Sequence, residues 1–213
     1  MRFAPVTNND NQAHLRSLPV LAIDLGFSAT KETCGAAAWP TDQDFQAPLN
    51  YSRFLESTCR WISKNDPAVV LILEAPLSGA FDPDGNPIPR GDFERFHSET
   101  NRSSPRHWNI MAGASMALAA IHFCHALGLR IKQEITIHVV EGFASRYTDE
   151  QHNKPSHMDV AKELLSRWRD GQELLIPQVV GSIVSVTGIL SGDSSHGVSG
   201  ILRVPDGLKS TAL

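Results

Sequence analysis

Three apolar stretches of this chain each end in an acidic residue, and this repetition constrains the fold more than any other feature. The runs PVLAI, VVLIL and ITIHVV are followed directly by Asp24, Glu74 and Glu141. Continuous apolar runs of this length are typical of strands that are buried on both faces of a sheet. Segments with helical character separate the runs, and this alternation predicts an α/β sheet with parallel neighbours.

The segments with helical character differ in how much of their surface is apolar. Residues 49–64 place apolar side chains mostly on one face, and residues 157–171 are amphipathic. Residues 108–128 are apolar nearly all round, which predicts a buried helix with Gly128 as its C-cap. Residues 174–190 are apolar with β-branched residues and two glycines, so both a helix and a strand fit there.

Length and composition set the domain organisation. The chain has 213 residues, of which 41% are hydrophobic and 20% charged, and this fits one sizeable domain that can fill a core. We expect residues 18–190 to form that domain. Residues 1–17 are polar and unpatterned, which predicts a flexible arm, and residues 191–213 are rich in Gly and Ser, which predicts a loop or tail.

Charge and cysteine content exclude several classes of protein. The net charge of −4 argues against a basic nucleic-acid coat over the whole surface. Cys34, Cys59 and Cys124 lie too far apart in sequence for a Cys-x-x-Cys metal knuckle or a disulfide framework. No apolar run approaches the ~20 residues of a membrane helix, and residues 1–20 lack the apolar centre of a secretory signal. We therefore expect a cytoplasmic protein without a membrane partner.

The three acids at strand ends predict a shared site. Equivalent ends of parallel strands lie side by side, about 4.8 Å apart, so Asp24, Glu74 and Glu141 could converge on one point. Like charges that close cost energy unless a proton or a cation neutralises them. Oxygen ligands clustered without His or Cys favour Mg²⁺ or Mn²⁺ over zinc. A fourth candidate is Asp159, at the start of the helix after the third strand, and His157 precedes it by two residues.

Each of these residues also has a plainer interpretation. An acid just past a strand is often the first solvated residue of a loop. Asp159 fits an acidic residue in a first helical turn, which the helix dipole favours, and His157 fits a cap or surface residue. Glu is a poor N-cap, so capping does not account for Glu74 or Glu141. A shared site is favoured because one explanation then covers three strands.

Four short motifs together carry a resemblance to a known superfamily. AIDLGF on the first strand, LEAPLS after a central strand, VVEGFAS on a third strand and HMDVA at a helix start resemble the RNase H-like superfamily. The E-A-P-L-S element, with an Arg-rich polar stretch behind it, is most similar to an uncharacterised family of predicted RNase H-like nucleases related to RuvC-type resolvases. The resemblance spans roughly residues 18–170. It implies a five-stranded mixed sheet in the order 3-2-1-4-5 with helices on both faces.

The resemblance also implies a function, namely metal-dependent hydrolysis of phosphodiester bonds in nucleic acid. Asp24 would bridge two Mg²⁺ or Mn²⁺ ions, and Glu74 and Asp159 would each complete one coordination sphere. Glu141 would join them as a catalytic residue. The superfamily often has an Asp-Ala pair where this helix has Asp159-Val-Ala, so Asp193 is an alternative for the fourth carboxylate. The supporting residues would be Lys31, Ser78 and His157.

A long polar stretch follows Glu74 and predicts a mobile flap beside the crevice. Residues 78–107 contain glycines and prolines, and a loop of this length in a compact domain is usually functional or disordered. Aromatic residues interleave with arginines there, a mix that suits contact with a nucleic-acid backbone and its bases. These arginines are Arg90, Arg95, Arg102 and Arg106. Acidic residues lie among them, so a solvated loop with internal ion pairs is an equal alternative.

Two other functions remain open. AIDLGFSATK is similar to the first phosphate loop of kinases of the actin/Hsp70/hexokinase fold, but such proteins need a second domain of this kind and 213 residues hold only one. The other alternative is an RNase H-like scaffold that binds nucleic acid or a protein partner without cutting. The acidic character of the chain favours it, and the apolar segment 174–190 could be a subunit interface in a homo-oligomer.

Overall fold

The fold is α/β, with a mixed sheet of parallel and antiparallel strands and helices on both faces, which confirms the α/β class expected from the sequence. The structure is a computed structural model, and the residues that it describes are 1–7, 9–26, 31–88, 90–91, 95–97, 103–105, 112–144, 155–175, 177, 182–191 and 198–204. Among these residues no helix is long and apolar enough to cross a bilayer.

Strands and helices alternate along the chain. The strands are β1 (Arg2–Pro5), β2 (Val20–Asp24), β3 (Gly35–Trp39), β4 (Ala68–Glu74), β5 (Ser78–Phe81), β6 (Pro87–Ile88), β7 (Arg95–His97), β8 (Ser103–Pro105), β9 (Thr136–Ala144), β10 (Ser182–Ser185) and β11 (Ile201–Val204). The helices are α1 (Gln12–Ser17), α2 (Tyr51–Lys64), α3 (Ala112–Arg130), α4 (His157–Arg169) and α5 (Val186–Ser191), with a 3-10 turn at Gln43–Phe45.

The main sheet has the order β1-β9-β4-β2-β3. Strands β2, β4 and β9 are parallel to one another, and β3 pairs with β2 in antiparallel fashion. Strand β11 also pairs with β9, next to β1 and along the same edge, because β4 occupies the other edge of β9. Two smaller antiparallel sheets, β10-β5-β6 and β7-β8, accompany it.

The N-terminal segment is part of this sheet, so the interpretation of residues 1–17 as a flexible arm is corrected. Strand β1 pairs with the first half of β9, and Val6 and Leu15 are buried. The guanidinium of Arg16 donates to the backbone oxygens of Trp168 and Gln172, at the end of α4. The segment is held by β-pairing and by burial of a few side chains, neither of which a polar sequence pattern reveals.

The C-terminal segment is corrected in the same way. Residues 201–204 of the predicted tail form β11, and Leu202 is fully buried. The ambiguous segment 174–190 contains both kinds of structure, namely β10 and most of α5. The folded unit therefore extends on both sides of the expected 18–190.

Two helix predictions have different outcomes. Helix α4 ends where predicted, and Gly171 follows it with a φ of 83°, a conformation that favours glycine. Helix α3 continues past Gly128 to Arg130, and Ile131 still donates to the Leu127 oxygen at 2.9 Å. Gly128 is therefore not its C-cap.

Side chains of the central strands alternate between two apolar cores because successive residues of a strand point to opposite faces. One face, which we call the α2/α3 face, buries Ile23, Leu73 and Val139 together with residues of α2 and α3. The other, the α4 face, buries Ala22 and Ile72 with residues of α4. The molecule thus has three layers, with the sheet in the middle.

Candidate functional site

Asp24 and Glu74 lie side by side at the carboxyl end of the main sheet. Asp24 ends β2 and Glu74 ends β4, and the residues before them, Ile23 and Leu73, are paired in the parallel register. The two acids therefore lie at the same height along neighbouring strands, which are about 4.8 Å apart. Their alternation with Ile23 and Leu73 directs both side chains to the α4 face. Both residues are buried, with 0% and 6% exposure.

Helix α4 supplies a histidine to this pair. His157 is the first residue of α4, and its Nδ1 lies 2.7 Å from an Asp24 carboxylate oxygen. The imidazole is about one-third exposed, whereas the Asp24 side chain is almost completely buried. The contact orients the Asp24 carboxylate and connects it to the surface of the molecule.

Two glycines flank the acids and let α4 approach the sheet closely. Gly35 pairs with Asp24 on one side, and Gly142 pairs with Glu74 on the other. A Cβ at Gly35 would lie 2.3 Å from the His157 carbonyl carbon, and one at Gly142 would lie 2.8 Å from a Leu164 methyl carbon. Gly35, Asp24, Glu74 and Gly142 thus form a line across four strands beneath α4, which we call the acid row.

Glu141 is not part of the acid row, which corrects the expectation that three acids converge. Glu141 pairs with Leu73, whereas Gly142 pairs with Glu74. The side chain of Glu141 therefore points to the α2/α3 face, as that of Leu73 does. There it forms a bidentate ion pair with Arg90, with both N–O distances 2.6 Å. The Leu77 N–H also donates to Glu141 Oε2 at 2.9 Å.

Arg90 is fully buried, so the expectation that it contacts nucleic acid is wrong. Its guanidinium donates to the Ser78 hydroxyl at 2.8 Å as well as to Glu141. Ser78, predicted to support the metal site, therefore belongs to this buried cluster on the other side of the sheet. The cluster ties Leu77, and Ser78 and Arg90 of the predicted 78–107 flap, to β9.

The remaining predicted nucleic-acid contacts lie mostly outside the described residues. The backbone of Arg95 is in β7, and its side chain is not described. Arg102 and Arg106 lie outside the described ranges, as does Asp193. Lys31 is exposed in the connection between β2 and β3. Mobility of the flap stays a prediction.

Asp159 caps its own helix. Its Oδ2 accepts from the Ser156 N–H at 2.9 Å and from the Ser156 hydroxyl at 2.7 Å, while its N–H donates back to that hydroxyl. This capping box fixes the start of α4, which in turn places His157 beside Asp24. Use of Asp159 as a metal ligand would compete with this cap.

A cysteine lies near the acids but stays a thiol. Cys34 is buried, and its Sγ donates to the Gly26 carbonyl at 2.8 Å. Burial raises the pKa of the Cys34 thiol to about 11, and the Asp24 carboxylate contributes to the rise. The thiol is therefore protonated at neutral pH and is not a nucleophile.

The described residues contain no group of three His, Cys, Asp or Glu side chains that could hold a metal ion. They place Asp24 and Glu74 at the ends of neighbouring strands and His157 in contact with Asp24, but these three side chains do not form such a group. Sequence reasoning missed the two glycines, although a glycine inside a strand run such as GAAAW or VVEGFA can indicate a close approach. It also missed the Arg90–Glu141 pair, for which the sequence has no local signal.

Comparison of the chain with protein-family models, with curated proteins and with solved structures finds no match. The residues of the site therefore carry the functional proposal.

Proposed function

We propose that this protein is a divalent-metal-dependent nuclease of the RNase H-like type, with Asp24 and Glu74 as its central metal-holding carboxylates. The proposal rests on the position of these acids, which are buried, level with each other and on one face of neighbouring parallel strands. Two carboxylates at this spacing repel each other unless a proton or cation neutralises them.

The strand order supports the RNase H-like part of the proposal. The path β3-β2-β4-β9, with β3 antiparallel, matches strands two, one, four and five of the order 3-2-1-4-5. Where that order has a third strand, the described residues have a single antiparallel bridge between Cys34 and Leu49. We propose an RNase H-like sheet whose third strand is reduced to this bridge and whose opposite edge is extended by β1 and β11.

The donor set fits a hard divalent cation. Asp24 and Glu74 supply carboxylate oxygens, which Mg²⁺ and Mn²⁺ prefer. When bound, the ion would polarise a phosphate oxygen and lower the pKa of a bound water. His157 would keep one donor oriented through its contact with Asp24. The N-terminus of α4, next to this contact, would add positive potential where a phosphate approaches.

Nucleic acid is the substrate that this site would serve. With Arg90 buried, the proposed phosphate contacts are Arg95, Arg102 and Arg106, which follow it in the same stretch of sequence. They would contribute sequence-independent binding that weakens with salt.

A scaffold that binds nucleic acid or a protein without cutting is the second candidate. Two observations favour it. Glu141 forms an ion pair with Arg90, and Asp159 is engaged in a helix cap, so neither acid is free to hold a metal. Recruiting Asp159 to a metal would give up its side of the capping box with Ser156.

A metal titration distinguishes the two candidates. We expect Mg²⁺ or Mn²⁺ to raise the melting temperature of the parent chain, since ligands that bind only the native state stabilise it. Asp24→Asn and Glu74→Gln should fold but lose this shift and any metal-dependent cleavage of nucleic acid. Glu134→Gln, at an exposed position, is the matched control and should keep both.

Two outcomes would contradict the nuclease proposal. If neither ion stabilises the parent chain, the scaffold becomes the better description. If Asp24→Asn cleaves as fast as the parent, Asp24 holds no metal in the reaction.

A further inference from the structure

Helix α3 exposes a stripe of two leucines and two histidines to solvent, although the sequence predicts a buried helix. Leu118 and Leu129 are 68% and 60% exposed, unusually high for leucines on a core helix. His122 and His125 lie between them and are also exposed. At 100° per residue these four side chains fall within an arc of about 60°, so they share one face of the helix.

The spacing of this stripe is the same in both directions. From Leu118 to His122, His125 and Leu129 the steps are four, three and four residues. If two copies of α3 pack antiparallel about a two-fold axis, Leu118 of one copy therefore faces Leu129 of the other. His122 of one copy likewise faces His125 of the other. A surface that complements itself under a two-fold rotation is what a symmetric dimer requires.

The two histidines have the arrangement of metal ligands. Residues three apart on a helix have Cβ atoms about 5–6 Å apart, so both imidazoles can reach one ion. His122 Nδ1 lies 2.8 Å from the Tyr51 hydroxyl. With Nδ1 protonated and donating to Tyr51, the ring is oriented and Nε2 carries the lone pair for a metal.

One chain alone does not complete such a site. Within the part of the chain that the structure describes, no third His, Cys, Asp or Glu joins this pair. Zinc sites held by nitrogen ligands are usually tetrahedral, with four ligands. An antiparallel pair of α3 helices supplies four imidazoles around the two-fold axis.

We propose that Zn²⁺ binds between two copies of this chain, held by His122 and His125 of each, and thereby forms a symmetric dimer through α3. The apolar contact alone is small, since each copy contributes two leucines, whereas stable interfaces bury about 1,200–2,000 Å². The dimer therefore depends on the metal. Imidazole donors select zinc over the Mg²⁺ or Mn²⁺ proposed for the acid row, and the two proposals are independent.

The test measures the mass of the full chain by analytical ultracentrifugation, with added Zn²⁺ or with a chelator. At low micromolar protein concentration we expect a monomer in the presence of chelator. With added Zn²⁺ we expect a dimer that contains one Zn²⁺ per two chains. His122→Ala and His125→Ala should each remove the dimer. Tyr51→Phe should weaken Zn²⁺ binding about 10–100-fold, as loss of a partner that orients a ligand does.

Matched controls separate this site from others. His14→Ala removes another exposed histidine, on α1, and should leave the dimer unchanged. Leu118→Glu should prevent dimerisation by placing a charge opposite Leu129. Asp24→Asn should dimerise as the parent does. The proposal is overturned if the parent stays monomeric with Zn²⁺, or if the dimer survives when both His122 and His125 are replaced.

Discussion

At the scale of single residues, the buried acids of this chain have different partners. Glu141 has a bidentate partner in Arg90, and Asp24 has a histidine at hydrogen-bond distance. An unpaired charge inside a protein is costly, so each contact must persist for the fold to be stable. The Arg90 pair is closed to solvent, whereas the Asp24 pair reaches the surface through His157. Glu141 is thus engaged in a buried structural pair, and the proposed metal role falls on Asp24.

Glu141→Gln should therefore destabilise the chain strongly. The change leaves the Arg90 guanidinium buried without its counter-charge, which typically costs about 3–5 kcal/mol. Urea denaturation measures the loss as a lower free energy of unfolding. The double variant Arg90→Met with Glu141→Leu should recover most of it, because two apolar side chains need no counter-charge.

Glu173→Gln is the matched control, since Glu173 is exposed and should change stability by no more than about 0.5 kcal/mol. A cost below about 1 kcal/mol for Glu141→Gln would show that Arg90 finds another partner or water.

The positions of the acids were predictable from sequence, but the face that each occupies was not. Asp24 and Glu74 end their strands as the pattern predicts, whereas Glu141 lies inside β9, which continues to Ala144. Side chains alternate with period two, so one residue of register decides the face. Glu141 pairs with Leu73 rather than with Glu74, and only the assembled sheet determines this offset.

At the scale of elements, α4 and the two glycines build the acid row together. The capping box fixes where α4 begins, and Gly35 lets its first turn lie directly on β3. Gly142 accommodates Leu164 from the same helix. The N-terminus of α4 therefore lies over the ends of β2 and β3, with His157 in contact with Asp24. Moving α4 away from the sheet would break that contact first.

Gly35→Ala should destabilise the fold more than Gly142→Ala. The new Cβ at Gly35 meets helix backbone at 2.3 Å, so α4 must move, whereas at Gly142 it meets a flexible leucine side chain at 2.8 Å. Overpacking typically costs about 1–3 kcal/mol, and we expect Gly35→Ala at or above the upper end. Thermal and urea unfolding measure both variants.

Gly128→Ala tests the same chemical change inside α3, where a Cβ would meet only the Met1 methyl carbon at 3.3 Å. There we expect a gain of about 0.5–1 kcal/mol from helix propensity. Equal losses for Gly35→Ala and Gly142→Ala would show that α4 tolerates displacement from the sheet.

The central elements were predictable because their apolar runs are long, whereas the edge strands were not. The strand β1 reads RFAP and has no alternating pattern, and it forms because the edge of β9 offers backbone partners. The strand β11 uses the other half of the same edge. Pairing between segments that are distant in sequence leaves no local signal in either of them.

At the scale of the whole molecule, the two proposed sites lie on opposite faces of the sheet. The acid row faces α4, whereas α3 packs on the other face and presents its stripe outward. A dimer formed through α3 therefore places the partner copy away from the α4 face and its acid row. Substrate binding and dimerisation can then be measured separately, with Mg²⁺ or Mn²⁺ for the first and Zn²⁺ for the second.

The stability of the whole chain should decrease as the pH falls below about 6.5. His138 of β9 is half-buried, and desolvation lowers the pKa of its imidazole below the ordinary value of about 6.5. Nearby Asp10 opposes this shift, while His14 and Arg2 add to it. In the window between the lowered and the ordinary pKa the unfolded chain binds the proton and the folded chain does not. The stability contributed by neutral His138 is therefore complete above pH 6.5 and is lost as the pH falls through this window.

His138→Gln should flatten this dependence, because the side chain then has no proton to bind. Urea unfolding at a series of pH values between 5 and 8, with a chelator present, measures the slope for the parent and the variant. His125→Gln is the matched control, since His125 is exposed, and it should keep the slope of the parent. Identical slopes for the parent and His138→Gln would mean that another group controls the stability in this range. Asp82 is not that group, because hydrogen bonds from Asn86 lower its pKa further below this range.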